Sequence, residues 1–453
     1  MNAALDPHEL ADVVQAAMER WRVPGVAVGI LHAGREHATG FGVTSLEQPR
    51  PVTPDTLFQI GSITKTFTAT AVMRLVEQGR LALDTPVRAY LPELRLADEA
   101  TAAALTLRHL LTHLGGFLGD YFADFGGGDD ALARYVASLV ELPQLTPLGA
   151  LWSYNNAGFS LAGHVIEAVT GQPFETALRE LVLAPLGMAR ASFWAAEVIT
   201  ESFAVGHLVD EQATAVARPW ALPRSAHAAG GLIASVPELL RYARFHLGDG
   251  TTATGVRLLT AESVAQMQTP QTPADSRVDA WGLSWALTDA GGTRTVGHGG
   301  ATHGQTALFT LAPARGFAVV LLTNASRGRE LNGEVTAWAL RRYLGASAPE
   351  PAPLTVPPEQ LAAYAGRYTA VLDDAELTVE DGALVMRVIS NGGFPLKDSP
   401  PVPSPPPTRL AFYAPDRVVA LDPPLRGARA DFIRAPDGRI AWFRTGGRLH
   451  RPV

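Results

Sequence analysis

Residues 61–69 read GSITKTFTA, and Ser62 and Lys65 stand three apart within them. The chain has only two lysines, Lys65 and Lys397, among its 37 Lys and Arg residues. A helix predicted from about Ser62 to Gln78 carries Phe67, Ala71, Val72, Leu75 and Val76 on one face and stops at Gly79. Residues i and i+3 share a helix face, so Ser62 and Lys65 meet there. A serine in the first turn sits where backbone N–H groups and the helix dipole favour developing negative charge. Its hydroxyl is a weak nucleophile until a base takes the proton. A desolvated lysine releases its proton, whereas an arginine does not. Taken alone, the pair also fits a serine N-cap and a lysine on a solvated face.

Other chemistries lack their marks. There is no G-x-S-x-G elbow, no G-x-x-x-x-G-K-[ST] loop and no dinucleotide fingerprint. His109 and His113 have i, i+4 spacing, but no glutamate follows His109 as zinc-protease chemistry requires. With no cysteine, disulfides, thiolate metal sites and a cysteine nucleophile are excluded. A net charge of −7 with interleaved signs argues against a nucleic-acid footprint. The apolar runs, such as FAVVLL at 317–322, are too short to span a bilayer. The start, MNAALDPHELADVV, has no basic segment followed by an apolar one, so the expectation is a soluble, cytoplasmic protein without a leader, a cofactor or a metal.

Outward from the serine, residues 8–21 have helical periodicity, and GVAVGIL (25–31) with EHATGFGV (36–43) reads as a strand hairpin. Further helices are expected at 106–113, 157–169, 174–183, 235–247 and 333–343. Strands are expected at 281–287, 305–311 and 317–323, forming an antiparallel meander. Residues 114–130 are rich in Gly and Asp and read as a mobile surface loop. The proline-rich run APEPAPLTVPPE (348–359) marks a linker, placed at 347–358 between a first domain at 1–346 and a β-rich domain at 359–453. Within the latter, EDG (380–382) and PDG (436–438) are hairpin turn signals.

S-x-x-K is a mark of serine β-lactamases and penicillin-binding proteins. The chain resembles the class C branch of that family in two more motifs. WSYNNAGFSLAG (152–163) supplies Tyr154 and Asn156 where that branch has Y-x-N. VGHGGATHG (296–304) supplies His298, Gly299 and Gly300 where the family has its K/H-x-G strand. The flanking phrases LRHLLTHLGGF (107–117) and AAGGLIASVPELLRYARF (228–245) are similar too, and the likeness spans about residues 8–345. In isolation Tyr154 reads as an aromatic at a helix start, Asn156 as an N-cap and GHGG as a tight turn; it is their combination with Ser62 and Lys65 that carries the resemblance.

The resemblance implies an α+β fold: an antiparallel sheet with flanking helices and an all-helical lobe, with the site between them. It implies Ser62 as the nucleophile of an acyl-enzyme, with Lys65 and Tyr154 sharing its proton. Tyr154 would be the base and later the acid, Asn156 would position Lys65 and the substrate, and the backbone N–H groups of Ser62 and Ala301 would form the oxyanion hole. His298 replaces the lysine of drug-hydrolysing members and resembles the form found in esterases and D-amino-acid peptidases. The Y-x-G-R-Y run (Tyr364, Gly366, Arg367, Tyr368) resembles the opening of the lipocalin-like barrels appended to such enzymes, which act as a cover over the cleft, an oligomerisation element or a stability cap. The expected activity is hydrolysis of small esters or amides, by a monomer or a homo-oligomer. A D-amino-acid peptidase, a weak β-lactamase and a silent peptide-binding or scaffold relative are the alternatives.

Overall fold

The computed structural model describes residues 6–453; residues 1–5 of the N-terminal stretch read above for a leader lie outside the described residues. Helix α1 (Pro7–Trp21) opens on Asp6, whose carboxylate accepts from the His8 and Glu9 amides. Strands β1 (Gly25–His32) and β2 (Arg35–Gly42) follow as the expected hairpin. The remaining strands of the main sheet come from the other end of the domain. They are β3 (Thr272–Pro273), β4 (Ala280–Trp281), β5 (Ala286–Asp289), β6 (Arg294–Ala301), β7 (Thr306–Ala312) and β8 (Phe317–Thr323). All eight pair in the antiparallel order β2-β1-β8-β7-β6-β5-β4-β3.

Every residue of β1 and β8 is buried. The reason is a layer on each face. Phe317, Val319 and Leu321 pack with Val26, Val28 and Ile30 against Leu10 and Val14 of α1 and against Leu331, Val335 and Ala339. Ala318, Val320 and Leu322 join the opposite core, which continues into the helical lobe. A strand covered on both sides loses its polar alternation, which is why FAVVLLT reads as an unbroken apolar run.

Helix α2 (Thr64–Glu77) lies at the centre of the lobe, and all its residues from Thr64 to Met73 are buried. The one-sided face expected from its sequence is therefore a surround. Its threonines are compatible with that because their hydroxyls bond inward: Thr66 to the Ile63 carbonyl (2.8 Å), Thr70 to the Thr66 carbonyl (2.9 Å) and Thr68 to the Ala228 carbonyl (2.8 Å). Around it stand helix α3 (Asn156–Thr170), the short α4 (His227–Gly230) and α5 (Val236–Leu247); α6 (Gly328–Ala339) lies on the far face of the sheet.

The strand expected at 281–287 is broken. Ser284 has φ of +70° and its amide bonds to the Leu111 carbonyl (2.9 Å), so Gly282–Trp285 leave the sheet between β4 and β5. The loop at 114–130 also differs from its reading: Gly115–Phe117, Gly119, Asp120 and Ala123 are buried, and only Asp124 and the stretch from Gly126 to Asp130 are exposed. No helix among the described residues is long and apolar enough to cross a membrane.

After the proline-rich segment a closed eight-stranded barrel forms: β9 (Gly366–Thr369), β10 (Asp373–Glu380), β11 (Ala383–Ser390), β12 (Thr408–Ala414), β13 (Arg417–Ala420), β14 (Arg429–Arg434), β15 (Ile440–Thr445) and β16 (Arg448–Pro452). Pairing of Tyr368 with Pro452 closes it. The EDG and PDG turns sit where the hairpins bend, with Gly382 at φ +76° and Gly438 at φ +85°. Tyr368, Leu377, Leu384, Phe412, Phe432 and Phe443 fill the interior.

One buried group of the lobe sets a pH dependence. His246 of α5 packs between Tyr242 (4.5 Å between centroids) and Trp285 (4.9 Å), and burial pushes its pKa down to about 3. Unfolded, the ring protonates below about pH 6.5. Stability is therefore full above that value and falls as the pH drops towards 3, by up to about 1.4 kcal/mol per pH unit from this ring alone. The thermal midpoint of His246→Gln is expected to decline less steeply between pH 7 and 5 than that of the wild type. Parallel slopes in scanning calorimetry would remove His246 from this role.

Candidate active site

Ser62 sits in a single tight turn, Gly61–Ile63, that leads directly into α2. The turn lies against β6, backbone to backbone. A Cβ on Gly61, whose φ is +54°, would stand 2.5 Å from the Ala301 nitrogen; one on Gly300 would stand 1.9 Å from the Ile60 carbonyl oxygen and 3.3 Å from the Ser62 nitrogen. Only glycines permit that approach. It brings the Ala301 residue alongside the serine turn, while Gly299 has open space on its cavity side, with only the Ala307 carbonyl oxygen at 3.8 Å.

Lys65 is wholly buried beneath Ser62. Its Nζ lies 2.7 Å from Asn156 Oδ1, 2.6 Å from the Ala229 carbonyl oxygen and 3.1 Å from Ser62 Oγ. The two carbonyl oxygens can only accept, so they take two N–H groups. A neutral amine has no third hydrogen, and its lone pair is then left for the serine hydroxyl. Burial is the main cause holding the Lys65 pKa well below its usual value; Arg448 lowers it further and Asp120 opposes.

Tyr154 precedes α3, and Asn155 caps that helix by accepting from the Gly158 amide at 2.7 Å. Asn156, read above as a potential N-cap, is instead the first helical residue, which frees its side chain for Lys65. Lys65 Nζ stands 5.0 Å from the centre of the Tyr154 ring. Burial pushes the phenol up to about 12, a shift that the Ser62 hydroxyl and the Arg448 guanidinium only partly offset. The amine is thus lowered and the phenol raised, the reverse of what a phenolate base requires.

His298 of β6 is buried, 6.1 Å from the Tyr154 ring and 5.6 Å from Trp281. Burial, with Lys65 nearby, pushes its pKa down to about 3. Its Nδ1 lies 2.6 Å from the Gly299 carbonyl, which fixes the proton there, and Nε2 has no partner. Burial therefore disfavours the charged form of His298. Arginines occupy the cavity instead.

Ser62, Tyr154, Asn156, His298, Gly299, Gly300 and Ala301 line one cavity of about 510 Å³, with Lys65 under its floor. Arg277, Arg329 and Arg448 line it too. Arg277 pairs with Asp275 (2.6 Å) and Arg448 with Asp120 (3.0 Å); Arg329 is exposed to the cavity and has no carboxylate partner among the described residues. Sequence reading missed all three, along with Asp120 and Trp281. The only local signal for Arg448 was the double glycine before it, at 446–447.

That double glycine is the turn between β15 and β16, and it carries the barrel into the site. The Gly447 carbonyl accepts from the Tyr154 amide (2.9 Å), Arg444 donates to the Trp152 carbonyl (2.9 Å), and the Arg448 guanidinium lies 4.7 Å from the Tyr154 ring centre. A second contact joins the Phe122 and Phe394 rings (4.9 Å), with the Lys397 amide donating to the Phe122 carbonyl (3.0 Å). The barrel forms one wall of the cavity.

Comparison with known proteins agrees with this architecture. Penicillin-binding protein 4 of Amycolatopsis lactamdurans is 35% identical over 350 residues, covering 74% of this chain and 92% of that protein. Esterase EstB of Burkholderia gladioli is 38% identical over 207 residues, covering 42% of this chain and 52% of the esterase. The solved structure of SurE with D-Leu matches with a TM-score of 0.73 at 27% identity, over 98% of this chain and 99% of that one, so the barrel is included in the likeness. The family model described as Beta-lactamase matches residues 10–342, a span that contains the serine, the lysine, the tyrosine and the glycine strand. The chain belongs to the beta-lactamase family.

Proposed function

We propose that this protein is a serine hydrolase that cleaves esters or small amides through an acyl-enzyme on Ser62. The observation that carries the reading is the buried Lys65 amine, whose two N–H groups are directed at carbonyl oxygens and whose third direction is Ser62 Oγ. Neutral Lys65 takes the Ser62 proton as Oγ attacks the substrate carbonyl. The developing oxyanion is held by the N–H groups of Ser62 and Ala301. Tyr154, protonated at neutral pH, gives its proton to the leaving group and regains one from the Lys65 ammonium. Water then releases the acyl group by the same path. The base is Lys65 rather than Tyr154, because burial depresses the amine and raises the phenol.

A second reading has its own support. Arg329, which lines the cavity without a carboxylate partner among the described residues, suits a substrate with a free carboxylate, and the SurE neighbour was solved with D-Leu. A peptide ending in a D-amino acid meets both conditions. The test compares wild type with Ser62→Ala on a short-chain p-nitrophenyl ester, a D-alanyl anilide, a short peptide ending in D-leucine and a chromogenic cephalosporin. Serine-dependent turnover is expected, and the ranking among the four names the substrate class. No turnover by wild type, with no acyl adduct by mass spectrometry, would overturn the hydrolase reading in favour of a silent binding relative.

A further inference from the structure

The contact between barrel and site is not a simple cover. Asp120, which is 7% exposed, lies between Asn156 and Arg448. Asn156 Nδ2 donates to Asp120 Oδ1 (2.7 Å), while Arg448 donates through Nε to Oδ2 (3.0 Å) and through Nη2 to Oδ1 (3.3 Å). The other end of the same amide, Oδ1, accepts from Lys65 (2.7 Å). An amide has one accepting end and one donating end. Rotated by half a turn, Asn156 would aim N–H groups at the Lys65 amine and set its oxygen against a carboxylate. Asp120 forbids that rotation, and Arg448 fixes Asp120 in place and balances its charge.

We propose that Asp120 and Arg448 are positioning residues for Lys65, and that the C-terminal barrel is part of the hydrolytic machinery because it delivers Arg448 to them. This rests on the reading of Lys65 as the base. The groups facing the Lys65 amine are Ser62, Tyr154 and Asn156, His113 from below the Tyr154 ring, His298 of β6, Asp120 of the loop and Arg448 of the barrel. Both histidines are held neutral by burial, so Asp120 and Arg448 supply the fixed charges of opposite sign.

Two lysines in the chain make a direct test possible. With 15N-labelled lysine, the full-length protein gives two side-chain Nζ signals, and Lys65→Met identifies the buried one without any substrate. In Arg448→Gln the carboxylate of Asp120 is uncompensated, so the Lys65 titration is expected to rise by about one pH unit. In Asp120→Asn the guanidinium is uncompensated, so it is expected to fall by a similar amount. The pair Asp120→Asn/Arg448→Gln should return towards wild type, and Arg448→Lys, which keeps the charge, should rescue most of the shift. The burst rate of p-nitrophenyl ester acylation should fall at least about tenfold in either single variant. Shifts of the same sign, or none, overturn the proposal. A change in KM alone, with the Lys65 titration unmoved, also overturns it and makes Arg448 a substrate contact. Opposite shifts without any Ser62 acylation would keep the electrostatic link and reject the hydrolase reading instead.

Discussion

Lys65→Arg is expected to abolish acylation of Ser62. A fluorophosphonate probe should label the variant at least about 10³-fold more slowly than wild type, within the range that general-base removal typically costs. The substitution keeps hydrogen-bond donors but puts a permanent charge in place of the neutral amine. Lys65 is fully buried with its hydrogens aimed at Asn156 and Ala229, so the longer guanidinium has little room. A steric explanation is separated by Lys65→Met, which is no larger and carries neither charge nor base. Both variants should lose labelling to the same extent, with circular dichroism unchanged for the methionine. Near-normal labelling of either would place the base elsewhere.

Gly300→Ala should be nearly as damaging, for a geometric reason. Its new methyl group would lie 1.9 Å from the Ile60 carbonyl oxygen, which is backbone and cannot swing away. β6 must then retreat from the Ser62 turn, carrying the Ala301 N–H out of alignment with an oxyanion. Loss of one such donor typically costs about 10²–10³ in rate, and the thermal midpoint should drop as well. Gly299→Ala is the control: its methyl meets nothing closer than 3.8 Å. It should keep its midpoint and its reactivity with a small probe. Equal behaviour of the two variants would show that backbone contact between β6 and the serine turn is unimportant.

Much of this was legible in the sequence because the residues concerned report their own surroundings. A lysine kept three after a serine, in a chain of arginines, pointed to a special setting, and Lys65 is buried beside Ser62 with its pKa held low. The strand at 317–323 was legible from its apolar run, though not its burial on both faces. The reading failed where tertiary contacts override local pattern. Ser284 breaks a plausible strand because its amide is claimed by Leu111, a partner far away in sequence. Asp120 lies in a stretch that reads as solvent-exposed because glycine and aspartate dominate it. Its burial depends on Asn156 and Arg448, which arrive from other elements. Arg448 is more than 380 residues from Ser62 and belongs to a different domain, so no spacing could connect them. The opposite pKa shifts of Lys65 and Tyr154 were also hidden, since burial is their main cause.

The main sheet carries a consequence for how the molecule comes into being. Val26 pairs with Thr323, and β1 lies between β2 and β8, so the first hairpin has no second neighbour until nearly three hundred further residues have been synthesised. Contacts of such long sequence separation slow folding, because chain entropy is lost well before the contacts that offset it can form. Until β8 docks, the apolar edge of β1 stays open, and β5, β6 and β7 have no link to the first hairpin. The sheet is thus completed late, and the growing chain passes most of its synthesis with a strand edge in need of protection from its neighbours.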